Sequence, residues 1–153
     1  MKTRIVVSAC LLGECCKYNG SHNRNEAVLA LQKQFEIIPV CPECFGGLPI
    51  PRVPSERRDG RVFSKDGEDV TAAFLEGAEQ TLYIAQEHNC PAAVLKERSP
   101  SCGCGVIYDG SFTGALTEGN GVTTDLLLQN AIAVFGESQL QKLINLYFFD
   151  ENA

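Results

Sequence analysis

Three times in this chain a short, mostly apolar run ends on cysteine. Ile5-Val6-Val7-Ser8-Ala9 runs into Cys10, with Cys15 and Cys16 in the turn-rich loop that follows. Glu36 to Val40 runs into Cys41-Pro42-Glu43-Cys44, and Ala92 to Lys96 leads, two residues further on, into Ser99-Pro100-Ser101-Cys102-Gly103-Cys104. β-Branched runs of this length without polar alternation are typical of strands covered on both faces of a parallel sheet. Parallel strands present their C-terminal ends at one edge, and ligands of open α/β sheets bind beyond that edge. The pattern therefore predicts that thiols from three remote segments meet in one crevice.

The segments between these runs supply the crossovers. Ala27, Val28, Leu31 and Phe35 share one helical face, which predicts a helix from Asn23 to Phe35. Ala73, Phe74, Gly77, Ala78, Thr81, Leu82 and Ala85 predict a longer one, capped by Asp69 and stopped at Asn89 ahead of Pro91. A helix over Thr123 to Asn130 leads into a fourth core strand at Ile132 to Phe135. Ser138 is placed to cap a last helix with Leu140, Leu143, Ile144 and Tyr147 on its apolar face. Pro42 to Gly60, dense in Gly and Pro, reads as a long irregular loop. It ends in a small hairpin that pairs Arg61–Ser64 with Glu68–Val70 around Asp66-Gly67. Val106 to Tyr108 reads as a short strand in a glycine-punctuated excursion. At 153 residues the chain supports one core, so residues 1–153 form a single domain with disorder expected only at the last few positions. The element order predicts an α/β fold: a three-layer doubly wound, Rossmann-like, mainly parallel sheet with strand order 2-1-3-4. Its switch point falls beside Cys10 and the Ser99–Cys102 loop.

The first residues enter a strand at once, without the longer apolar run of a signal peptide, and no apolar run reaches membrane-spanning length. The expected location is the cytoplasm, where thiols stay reduced, so the eight cysteines are not read as four disulfides. A net charge of −6 gives no general attraction to phosphate backbones, and stable nucleic-acid binding is not expected. Arg52, Arg57, Arg58 and Arg61 form a local basic stretch suited at most to a small polar or anionic ligand. The sequence carries no signal for oligomeric state.

Seven of the cysteines lie in the three loops; Cys90, just before a strand, reads as a small buried hydrophobe. Soft thiolates with no His beside them suit an iron–sulfur cluster or zinc. Structural zinc needs four ligands in paired spacing, and Cys102-x-Cys104 is a tight partner for Cys41-x-x-Cys44. A thiol redox or persulfide site on Cys15 and Cys16, or on Cys41 and Cys44, is a further reading, and plain packing another. Cys10, Cys41 and Cys102 lie at or just after strand ends, the rigid part of each loop, which favours a cluster. Beside them, Glu43 is held by Pro42 and is suited to move a proton. Ser99 and Ser101 bracket Pro100, so one hydroxyl should face the cavity. Arg52 and Asp109 sit in the two glycine-rich excursions as candidate contacts to a polar ring edge.

Four stretches carry a resemblance. They are Ser8-Ala9-Cys10-Leu11-Leu12-Gly13 with Cys16-Lys17-Tyr18-Asn19-Gly20; Val40-Cys41-Pro42-Glu43 with Gly46-Gly47-Leu48-Pro49-Ile50-Pro51-Arg52; Leu95-Lys96 through Ser99-Pro100-Ser101-Cys102-Gly103; and Tyr108-Asp109-Gly110. Together they resemble the thiouracil desulfidase (TudS) family over nearly the whole chain. The resemblance implies a [4Fe–4S] cluster held by three cysteines, its fourth iron taking the sulfur of a thiolated nucleobase. Carried over by position, the ligands fall on Cys10, Cys41 and Cys102, with Cys16 as an alternative ligand. The proton-handling carboxylate falls on Glu43 and the catalytic serine on Ser99; Ser101, Arg52 and Asp109 are weaker candidates for substrate contacts. The implied reaction is non-redox, hydrolytic cleavage of a carbon–sulfur bond, thiouracil to uracil plus H₂S, with a small-molecule thionucleobase as the partner. A cluster-binding redox sensor and a persulfide sulfur carrier are the alternatives.

Overall fold

The computed structural model describes residues 2–149, so the last few residues, where the sequence predicts disorder, lie outside it. In chain order the elements are β1 (Thr3–Ser8), a 3₁₀ turn (Ala9–Leu12), α1 (Glu26–Ala30), a second 3₁₀ turn (Leu31–Lys33), β2 (Phe35–Val40) and α2 (Pro42–Phe45). Then come β3 (Ser55–Arg58), β4 (Arg61–Ser64), α3 (Thr71–Glu87), β5 (Ala92–Leu95), β6 (Val106–Tyr108), β7 (Leu116–Glu118), α4 (Val122–Gln129), β8 (Ala133–Gly136) and α5 (Leu140–Tyr147).

The core sheet has four strands in the order β2-β1-β5-β8, all parallel. This is the 2-1-3-4 order expected for the four core runs. The strand interiors explain it, because alternate residues serve two apolar layers. Ile5, Val7, Ala92 and Val94 pack on one face with Val28, Leu31 and Leu143. Val6, Ala93 and Leu95 pack on the other with Ala85, Leu127 and Cys90. Cys90 is 4% exposed and sits in that second layer, where burial raises its thiol to about 11.

Several boundaries depart from the sequence reading. The first crossover starts at Glu26 as a single α-helical turn followed by a 3₁₀ turn, and Phe35 belongs to β2; Asn25 caps it by accepting from the Val28 N–H. Arg61–Ser64 forms a strand and turns back on Glu68–Val70 as expected, through the Phe63–Asp69 bridge flanked by the Ser64 N–H to Glu68 carbonyl and Val70 N–H to Val62 carbonyl bonds; its other edge pairs with Ser55–Arg58, inside the stretch read as loop. Asp69 still accepts from the Thr71 N–H at the start of α3. Ser138 does not cap α5; its hydroxyl bonds Glu97, and Gln139 accepts from Gly136 N–H instead. The basic stretch dissolves into separate partnerships: Arg57 pairs with Asp125, Arg61 with Asp69, Arg52 with Glu43, and Arg58 lies over the Phe63 ring.

Two close approaches set the sheet edge. Gly46 at the end of α2 and Gly77 within α3 let the two backbones touch, since a Cβ on Gly77 would overlap the Pro42 carbonyl and one on Gly46 the Ala73 carbonyl. The third cysteine loop is tied to α4, whose Val122 and Thr123 N–H groups donate to the Pro100 and Ser101 carbonyls. Among the described residues, no helix is long and apolar enough to cross a membrane.

Candidate functional site

Beyond the C-terminal ends of β1, β2 and β5 opens a cavity of about 520 Å³. Its wall includes Cys10, Cys16, Cys41 and Cys102, together with Glu43, Arg52, Ser99 and Ser101. Each cysteine is set by the end of its strand. Cys10 lies in the 3₁₀ turn after β1, which Gly13 closes in the left-handed conformation at φ +99°. Cys41 is the N-cap of α2, with Pro42 in the first helical turn. Cys102 is 5% exposed and fixed by the tight Ser99–Gly103 turn, in which Ser99 Oγ accepts from the N–H groups of Ser101 (3.2 Å) and Cys102 (2.8 Å).

The sulfurs are served by donors of the protein. Asn23 Nδ2 donates to Cys10 Sγ at 3.4 Å, and Ser8 Oγ to Cys102 Sγ at 3.6 Å. The Cys16 thiol lies on the same wall as those of Cys10 and Cys41, and Cys41 Sγ faces the Cys16 carbonyl at 3.9 Å. The nearby Cys16 side chain is the leading cause of the lowered pKa values of Cys10 and Cys41, about 7 and about 6, while Cys16 itself is pushed well above the ordinary thiol range. Burial pushes Cys102 up to about 12, against hydrogen bonds from Ser101 and Ser8 that pull it down.

A second polar chain runs along the same wall. Arg52, with only 8% of its side chain exposed, donates from Nε to Glu43 Oε1 at 3.1 Å. Its other nitrogens donate to the carbonyls of Pro49 and Cys16. Ser101 Oγ stands 3.0 Å from Glu43 Oε2 and 3.5 Å from Cys102 Sγ, so its single proton can be given to either. Ser99 Oγ is 3.1 Å behind Ser101 Oγ.

Of the residues singled out by sequence, Cys10, Cys16, Cys41, Cys102, Glu43, Ser99, Ser101 and Arg52 therefore share one cavity. Asp109 does not line it. Its carboxylate accepts from the Ser111 N–H and hydroxyl and is consumed in its own turn. Arg52 lines the cavity, with each of its three nitrogens giving one hydrogen bond to the protein. Cys15 is exposed, Cys104 Sγ points to the Val134 carbonyl, and Cys44 lies against Cys41 without lining the cavity. Sequence reading missed Asn23, Lys96, Glu56 and Phe112 on the wall. Lys96 directly follows β5, so the strand-end rule alone could have found it. Glu56 and Phe112 come from two hairpins whose meeting has no sequence signal.

Soft thiols suit either a single zinc or a multi-iron cluster, and the two ask for different ligand spacing. Among the described residues no three His, Cys, Asp or Glu side chains close to within reach of one metal ion. A single zinc therefore lacks its ligand geometry. Ligands of a multi-iron cluster stand further apart, because each binds a different metal atom, and three thiols around one cavity with N–H and O–H donors to their sulfurs fit such a cluster.

Fold and site together define the class: a doubly wound α/β protein that gathers thiols from three strand ends into one cavity. A sequence model of the 2-thiouracil desulfurase family matches residues 5–139, and the chain belongs to that family. It is similar to the uncharacterized protein YbbK of Bacillus subtilis (strain 168), 41% identical over 150 residues that cover 92% of this chain and 99% of the relative. Among solved structures it is similar to the [4Fe-4S]-dependent thiouracil desulfidase TudS. The two are 44% identical with a TM-score of 0.89, over 94% of this chain and 97% of the other.

Proposed function

We propose that this protein is a [4Fe–4S]-dependent desulfidase that converts a thiolated pyrimidine base, thiouracil in the first instance, to uracil and hydrogen sulfide. The observation that carries the reading is the meeting of Cys10, Cys41 and Cys102 in one cavity with a carboxylate–hydroxyl pair against the third sulfur. Cys10, Cys41 and Cys102 are the ligands, and Cys16, on the same cavity wall, is the alternative to one. A cluster with three protein ligands leaves one iron open and supplies a Lewis acid for a substrate sulfur.

The chain's own residues do the rest. The reaction exchanges C=S and water for C=O and H₂S, so two protons move and no electron is needed. Glu43 is held on one oxygen by Arg52 and on the other by Ser101, which supports it as the base that takes a proton from water attacking the thiocarbonyl carbon. Ser101 lies between that carboxylate and Cys102, which supports it as the hydroxyl that returns a proton toward the departing sulfur. Ser99 then acts one step back, holding the Ser101–Cys102 turn through two N–H groups.

The test is oxygen-free reconstitution followed by assay of iron, acid-labile sulfide and turnover. About four irons and four sulfides per chain are expected, with uracil and sulfide released in equal amounts from 2- or 4-thiouracil. Glu43→Gln should keep the iron and lose turnover. A loaded protein that leaves both thiouracils intact would make this a cluster-binding protein without desulfidase activity.

A further inference from the structure

The hairpin β6–β7 carries a loop over the cavity that the chemistry above does not use. Phe112 and Tyr108 from this hairpin line the cavity wall with Glu56 of β3. Phe112 belongs to none of the three apolar clusters of the fold, so it is not placed there by core packing. Its backbone is left-handed at φ +58°, a conformation that disfavours any side chain and persists only where surrounding contacts impose it. Those contacts are visible. Glu56 Oε1 accepts from the N–H groups of both Gly110 (3.0 Å) and Phe112 (3.1 Å), joining two hairpins that are remote in sequence. Within the loop, Asp109 ties down Ser111, and its N–H donates to the Ala115 carbonyl. Gly110, at φ +95°, presses against Arg58, where a Cβ would strike the arginine side chain.

Resting on the desulfidase reading, we propose that this loop is a fixed aromatic cover for the substrate: Phe112 stacks on the ring of the thiolated base, and Glu56 is the positioning residue that holds it there. A planar heterocycle offers its face to an aromatic side chain whatever its ring substituents, so the cover supplies binding, and Glu43 and Ser101 supply the chemistry. The loss of stacking falls equally on bound substrate and transition state, which raises KM and leaves kcat.

The experiment uses cluster-loaded full-length protein and 4-thiouracil. Phe112→Ala should raise KM about ten-fold with kcat within about two-fold, and Phe112→Tyr should restore it. Glu56→Ala should raise KM in the same direction with iron content unchanged. It should also speed hydrogen exchange of the Gly110 and Phe112 amides, read by NMR, at least about ten-fold. An unaltered KM in Phe112→Ala beside an active wild type refutes the cover alone, as do Gly110 and Phe112 amides that exchange no faster in Glu56→Ala. A loaded wild type that leaves thiouracil untouched ends both proposals.

Discussion

Gly77→Ala separates two effects of opposite sign. In the interior of a helix this substitution ordinarily stabilises by about 1 kcal/mol, because alanine loses less backbone freedom on folding. Gly77 is buried in α3 where α2 crosses it, and the added methyl would overlap the Pro42 carbonyl. That obstacle is backbone and cannot rotate away. Overpacking in a close-packed interior costs about 1–3 kcal/mol. The upper end applies here, since relief requires moving α2 as a body. Setting about 3 against about 1 leaves a net loss of about 2 kcal/mol. For a chain of this size that is a fall in Tm of about 4–8 °C. Because Cys41 caps α2 and Glu43 lies in its first turn, the same movement should lower iron uptake. Thermal unfolding followed by circular dichroism in reducing buffer measures the first effect, and iron per chain after reconstitution the second. A Tm that rises by the helix-propensity increment, with full iron loading, would show that the two backbones are not in contact and would remove the reason given for the position of Cys41.

Other substitutions probe the site separately. Ser8→Ala removes a buried hydroxyl that accepts the Lys96 N–H at 2.9 Å and bonds Cys102, and should cost about 1–3 kcal/mol of stability through the orphaned N–H; an unchanged urea midpoint would count against that role. Cys10→Ala, Cys41→Ala and Cys102→Ala should each abolish iron retention after anaerobic reconstitution. Cys90→Ala, in the core layer away from the cavity, should retain it with a modest loss of stability. Asp69 is held near pKa 2, first by the Thr71 hydroxyl, then by the Thr71 N–H and Arg61. Its contribution is therefore complete above the ordinary carboxylate pKa of about 3.9 and is lost as pH falls through about 2. Asp69→Asn should accordingly lower Tm at neutral pH by more than at pH 2, and a pH-independent difference would contradict it.

What could be read from the linear chain was what depends on local periodicity. Four apolar runs of strand length, separated by segments with helical spacing, determine a parallel α/β sheet. The right-handed crossovers such a sheet requires bring Cys10, Cys41 and Cys102 to one edge. The boundaries that went astray lie where tertiary contacts outweigh propensity: Phe35 leaves its helical face because β2 pairs it with Thr3, and Ser55–Arg58 becomes a strand because Arg61–Ser64 offers it an edge. Side-chain partnerships were beyond reach for the same reason. Asp109 and Glu56 are both acids in glycine- or arginine-rich stretches, yet one folds back on its own turn and the other crosses to a second hairpin. Which of Ser99 and Ser101 faces Glu43 depends on a turn closed by hydrogen bonds to backbone N–H groups, and which arginine reaches the carboxylate depends on the path of the loop after α2. Sequence alone determined where thiols would gather, because strand direction is set by short-range pattern; the tertiary structure decided which polar groups meet them, because those meetings are made between segments whose separation along the chain carries no periodic signal.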